Sequence, residues 1–125
     1  SQRLRMYKRI SSARDEAELA ALQQEMVDRF GPYSEPVENL FRYARLRLET
    51  LALQIPSVER KRNQIFIRFV EQSKVSPQKL LDLVKRNPRA SFSPQGLLNL
   101  ELGDPAPAAL FRSLHGILDQ IRQAS

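Results

Sequence analysis

The sequence predicts an α+β fold in the order ααα–ββ–α–ββ–α. Apolar residues recur at helical spacing as far as Ile55, then alternate two by two around Ile65–Val70 and Leu98–Leu102. Helices cluster at the front and strand patterns come in closely spaced pairs. A doubly wound parallel sheet would instead alternate strand and helix throughout. With 125 residues, 42% hydrophobic and 27% charged, the chain suits one ordinary globular domain with a modest core.

The elements follow in order. Leu4, Tyr7 and Ile10 share one side of a short helix over residues 3–11. Asp15 with Glu18 forms a capping-box pattern, and Leu19, Leu22, Met26 and Phe30 follow at helical spacing, which predicts a second helix over about 15–30. Gly31 supplies a left-handed stop and Pro32 blocks continuation. Ser34 is placed to cap a third helix whose apolar stripe runs through Val37, Leu40, Phe41, Ala44, Leu48, Leu51 and Ile55 until Pro56. Ile65, Ile67 and Phe69 then mark a strand, paired with a more polar one at about 58–62 across a turn near Asn63. Ser76 and Pro77 open a helix to about Arg86, with Leu80, Leu81 and Val84 inward. Strands near 90–93 and 97–102 flank the turn Pro94–Gln95–Gly96. Asp104 and Pro105 start the last helix, with Leu110, Phe111, Leu114, Ile117, Leu118 and Ile121 inward.

Charge is unevenly spread. The chain carries 20 Lys plus Arg against 14 Asp plus Glu, a net +6 and a pI near 10.2. Residues 1–14 hold five basic side chains and no acid, whereas residues 15–38 hold seven acids against Arg29 alone. The basic total points toward nucleic acid, but the acidic segment would repel phosphate and attract an arginine-bearing surface. A solvated acidic helix face and a protein-docking face are both open readings of that segment.

Several chemistries are excluded or unsupported. Zero Cys removes disulfides, thiolate metal sites and a cysteine nucleophile. The four glycines stand apart, so neither a phosphate-binding loop nor a dinucleotide fingerprint is present. His115 is the single histidine, with no ligand set or nucleophile beside it in sequence, and is expected to be structural. No catalytic residue, cofactor or metal is assigned, and the chain is read as non-enzymatic. No apolar run approaches the roughly 18–20 residues of a membrane span, and no signal-type stretch follows the basic start. Because it begins at Ser1 rather than Met, it is expected to be part of something longer.

Two sets of residues remain as candidate sites. Glu25 and Asp28 lie three apart in the last two turns of the second helix, where the helix dipole disfavours carboxylates by up to about 0.3–1 kcal/mol each. Arg29 is placed to relieve Glu25 at i,i+4, leaving Asp28 without a comparable partner. Such a pair suits bidentate hydrogen bonds from arginines on another surface. The second set is basic. Arg42 and Arg45 share a helix face, Arg60, Lys61 and Arg62 lie at a hairpin tip, and Lys85, Arg86 and Arg89 form a third cluster. They are possible phosphate contacts or plain solvated faces. Few exposed aromatics are interleaved with them, so stacking platforms are not evident.

The run Met6–Tyr7–Lys8–Arg9–Ile10–Ser11, then Glu18–Leu19, then Glu25–Met26–Val27–Asp28–Arg29–Phe30–Gly31–Pro32, then Pro36–Val37–Glu38–Asn39–Leu40, resembles the C-terminal domain of the bacterial transcription-repair coupling factor family, Mfd. The order and spacing are specific in combination, and later elements agree only in pattern. Ser34 departs from the proline expected after the glycine, and leaves the carboxylate pair untouched.

The resemblance implies a bacterial, cytoplasmic DNA-repair protein whose ATP-dependent translocase acts on stalled RNA polymerase and DNA. Its C-terminal domain would be non-catalytic and autoinhibitory, docking on the UvrB-like N-terminal module of the same polypeptide and masking the surface for UvrA. The family's docking carboxylates fall on Glu25 and Asp28, beside Arg29. Residues 1–14 would be a basic helix or linker from a preceding motor domain, and residues 15–125 a single α+β domain. The competing reading is a basic nucleic-acid-binding accessory module of the translocase.

Overall fold

In the computed structural model, residues 1–103 and 106–124 are described. Their contacts divide the chain into two units, Ser1–Leu48 and Glu49–Ser125. The element order is the expected α+β series: α1 (Gln2–Ser11), α2 (Glu16–Phe30), α3 (Glu35–Ala52), β1 (Ser57–Lys61), β2 (Gln64–Arg68), α4 (Pro77–Arg86), β3 (Ala90–Phe92), β4 (Leu97–Glu101) and α5 (Pro107–Ile121). The start expected at Asp104 and Pro105 lies outside the described residues.

The first unit is helical. Its core joins Met6 and Ile10 of α1, Leu19, Leu22 and Met26 of α2, and Val37, Phe41 and Ala44 of α3. Each large apolar side chain so buried contributes about 1.5–3 kcal/mol. Met6 and Ile10, one turn apart, set the buried face of α1, so Leu4 points away and is 53% exposed, against the sequence reading. Asp15 Oδ1 accepts the Glu18 N–H at 2.8 Å, while Glu18 Oε2 accepts the Arg14 N–H at 2.9 Å. The capping box is therefore shifted by one residue on its return bond. Gly31 ends α2 at φ +75° and ψ −167°, a region glycine tolerates, and its N–H closes on the Val27 carbonyl at 2.8 Å. The Ser34 carbonyl accepts the Val37 and Glu38 N–H groups at the head of α3. Tyr33 packs on Phe41 with ring centroids 5.4 Å apart.

The second unit holds one four-stranded antiparallel sheet in the order β1-β2-β4-β3. Both expected hairpins form, and the pairing of β2 with β4, Ile65 opposite Leu100 and Ile67 opposite Leu98, merges them. Ile65, Ile67, Leu98 and Leu100 are buried, as are Leu80 and Leu83 of α4 and Leu110, Leu114, Leu118 and Ile121 of α5. The expected alternation is thus realised on the buried face, while Phe66 and Asn99 on the opposite face are half-buried. Leu81, expected inward, is half exposed; it lines an apolar groove of about 710 Å³ with Phe69, Val75, Leu80 and Phe92. Leu51 is likewise exposed; α3 ends at Ala52 and Gln54 takes a left-handed φ of 55°. The chain then turns, burying Leu53 and Ile55. No helix among the described residues is long and apolar enough to cross a membrane.

Candidate protein-docking site on the second helix

The site is built by the register of α2. Burying Leu19, Leu22 and Met26 fixes the helix rotation, which leaves Glu25 half-buried at the margin of the core and Asp28 exposed. Both carboxylates sit in the last two turns, where unsatisfied carbonyls carry partial negative charge.

Glu25 is held by two cations. Arg9 Nη1, on α1, stands 3.0 Å from Glu25 Oε2, and Arg29 Nη2 stands 3.4 Å from the same oxygen. The i,i+4 relief from Arg29 is as the spacing predicts; the cross-helix Arg9 contact is not legible from spacing. Arg9 Nη1 also lies 3.5 Å from Met6 Sδ, so the core residue on its own helix steadies it. Both guanidinium groups address the same oxygen, so an incoming arginine must compete for it. The pairs are exposed enough that each contributes about 0.2–1 kcal/mol. Among the described residues, Asp28 accepts only from a neutral donor, Gln24 Nε2 at 2.9 Å. Beside them, Arg3 lies over the Phe30 ring, 5.1 Å from its centroid, and Val27 is exposed. The face thus offers a cation-seeking carboxylate, a partly engaged one and an apolar contact.

The other candidates are distributed differently. Arg42 is engaged within α3, with Nη1 2.8 Å from Glu35 Oε1 and 2.7 Å from Asn39 Oδ1. Arg45 Nε pairs with Glu16 Oε1 at 3.2 Å, tying α3 to the start of α2. Both guanidinium groups are thus engaged in ion pairs within the first unit. Arg60, Lys61 and Arg62 do come together at the β1–β2 turn, all exposed; Arg60 Nε donates to the Arg62 carbonyl at 3.1 Å, and Arg62 adopts φ 56°. Lys61 Nζ sits 5.7 Å from the Phe66 ring centroid.

Among the described residues, Tyr33 and His115 are shifted from their ordinary pKa. Burial, helped by a hydrogen bond to Glu38, pushes the Tyr33 phenol up, with Gln23 Nε2 opposing it from 3.2 Å. The Glu49 carboxylate, hydrogen-bonded to His115, pushes that imidazole up. His115 is thus placed in a cluster with Glu49, Asp119 and Arg122 in the second unit. The i,i+4 spacing of His115 and Asp119 could have signalled half of it; Glu49, 66 positions away from His115, could not.

Comparison with known proteins places this geometry. Residues 1–80 match the model of the TRCF domain family. The chain is 38% identical over 87 residues to the transcription-repair-coupling factor of Escherichia coli (strain K12), which covers 70% of the chain and 8% of that protein. It is 31% identical over 84 residues to the namesake of Bacillus subtilis (strain 168), 66% of the chain and 7% of the relative. The chain therefore spans under a tenth of the length of these relatives. Its structure is similar to the crystal structure of the C-terminal domain of transcription-repair coupling factor, with a TM-score of 0.78 and 22% identity, covering 95% of this chain and 78% of the other. The α+β order, the family match from α1 into the start of α4 and the shared fold agree: the chain belongs to the TRCF domain family.

Proposed function

We propose that this domain is a non-catalytic autoinhibitory clamp. It docks through the end of α2 on the UvrB-like N-terminal module of its own polypeptide and masks the surface that UvrA would bind. The parent would be a bacterial cytoplasmic ATP-dependent translocase acting on DNA and stalled RNA polymerase. The observation that carries the reading is Asp28: an exposed carboxylate at the negative end of a helix, paired among the described residues only with neutral Gln24. Local stability disfavours it there, and an arginine surface would reward it. Glu25, three residues earlier and 29% exposed, adds a second acceptor.

A clamp must open, which favours a polar interface. Tethering supplies a high effective concentration, so modest salt-sensitive contacts suffice. The test is a pull-down of this chain with the UvrB-like module at low and high salt. Wild type is expected to bind and the Glu25→Ala/Asp28→Ala variant to lose binding while keeping its circular dichroism. Binding by the double variant equal to wild type would refute the assignment.

The exposed Arg60–Lys61–Arg62 turn favours a second reading, a nucleic-acid contact of the second unit. Steeply salt-dependent DNA retention on filters, unaffected by the double substitution and lost on neutralising the turn, would select it.

A further inference from the structure

We propose that His115 and Asp119, oriented by Glu49 and Arg122, form a binding site for a divalent transition metal of the zinc type. The site lies in the second unit, independent of the α2 face. His115 and Asp119 are one turn apart on α5, and Glu49, the first residue of this unit, meets them from α3. One ligand atom from each of the three residues lies within 4.8 Å of the others.

The geometry assigns a role to each group. His115 Nδ1 is 2.7 Å from Glu49 Oε1. With its N–H donated there, the neutral ring is fixed in the tautomer that keeps a lone pair on Nε2. That nitrogen faces Asp119 Oδ2 at 3.4 Å. Two ligands bound about 2.0–2.2 Å from a tetrahedral zinc stand roughly 3.4 Å apart, so the pair already spans one edge of such a site. Glu49 then plays the outer carboxylate that orients a metal-bound histidine and raises its basicity. Its side chain is only 20% exposed, and Oε2 is buried and accepts no hydrogen bond, with Arg122 Nη2 at 3.8 Å. Arg122 Nη2 also holds the other oxygen of Asp119, Oδ1, at 3.3 Å, which turns Oδ2 toward the imidazole. Two carboxylates against one guanidinium leave net negative charge for the cation. An imidazole and a carboxylate, with water in the remaining positions, suit zinc, cobalt or nickel better than calcium or magnesium.

The composition makes the inference simple to test. With one histidine and no cysteine, His115 is the chain's single imidazole or thiolate ligand for zinc, so its substitution isolates the site. Calorimetric titration of the chain with zinc chloride, with the ring-proton resonances of the single histidine followed by NMR, is expected to show saturable one-to-one binding. Cobalt(II) should broaden or shift the same resonances. His115→Ala should abolish binding, Asp119→Asn should weaken it, and Glu49→Gln should lower affinity about 10- to 100-fold with the resonances still perturbed at saturation. Zinc should also raise the melting temperature of wild type and leave that of His115→Ala unchanged. Absence of saturable binding would overturn the site and leave His115 a structural group hydrogen-bonded to Glu49. Binding that survives His115→Ala, or that ignores both Asp119→Asn and Glu49→Gln, would overturn it equally.

Discussion

Arg9 on α1 and Glu25 on α2 form an ion pair at 3.0 Å, sixteen residues apart in the chain. It anchors one helix of the first unit to the next, and it also occupies an acceptor that the proposed partner needs. An arginine from outside must compete with Arg9 for the same oxygen. Arg9→Ala is therefore expected to lower the stability of the chain by less than about 1 kcal/mol. It should also tighten binding to the UvrB-like module by about two- to fivefold, the equivalent of a removed competitor of that strength. Calorimetry on the two chains gives the comparison; weaker binding by Arg9→Ala would make Arg9 part of the docking face instead.

The two ends of α2 carry aspartates with opposite consequences. Asp15 caps the N-terminus with a 2.8 Å bond to Glu18 N–H, so Asp15→Ala should cost about 0.5–2 kcal/mol. Asp28 opposes the dipole near the C-terminus, so Asp28→Ala should leave stability unchanged or raise it by a few tenths of a kcal/mol, apart from the small contribution of its Gln24 contact. Urea denaturation of the two variants separates them. A loss of about 1 kcal/mol or more in Asp28→Ala would give Asp28 a structural role and weaken the docking argument.

Gly96 and Gly31 both hold positive φ, 87° and 75°. A Cβ at Gly96 would stand 2.9 Å from the Phe69 carbonyl oxygen, whereas at Gly31 it meets nothing within 4 Å. Gly31→Ala should cost the strain of that nearly glycine-only backbone region, about 1–3 kcal/mol, and Gly96→Ala more, because a steric clash adds to its strain. The Gly96 N–H donates to the Ser93 carbonyl within the β3–β4 turn at 3.0 Å, and its carbonyl accepts the Phe69 N–H at 2.8 Å just past β2, so displacing it loosens both the turn and its tie to β2. Equal thermal shifts for the two variants would contradict the close approach.

Tyr33 sets a pH dependence at the alkaline end. Its folded-state pKa lies above the ordinary 10.0, first because it is partly buried and second because it donates to Glu38. Below pH 10 both folded and unfolded chains keep the phenolic proton and its contribution is intact. As pH rises past 10 the unfolded chain releases the proton before the folded one does, so this stability is lost on passing through the folded-state pKa. Denaturation midpoints measured from pH 8 upward should fall less steeply in Tyr33→Phe than in wild type. Parallel curves would place the alkaline loss on other groups.

Much of the fold was legible because helices and strands declare themselves locally. Leu19, Leu22 and Met26 mark the buried face of α2 by spacing, and Ile65 and Ile67 do the same for β2. Where the reading slipped, the reason was also physical. Leu4, Leu51 and Leu81 carry apolar side chains on exposed positions, because a helix has more apolar residues than its narrow core contact can bury. Of the candidate site, the carboxylate pair and its Arg29 partner were visible in α2 alone, since i,i+3 and i,i+4 neighbours follow from helical geometry.

The sequence by itself determined the element order, the caps, the turns and the anomalous anions of α2, all of which arise from interactions within a few residues. Only the tertiary structure decided that β2 pairs with β4, that Arg9 reaches Glu25, and that Glu49 closes on His115. Such partners are chosen by how buried faces pack. A side chain's nearest charge is then whatever the packing brings alongside, which no local spacing encodes.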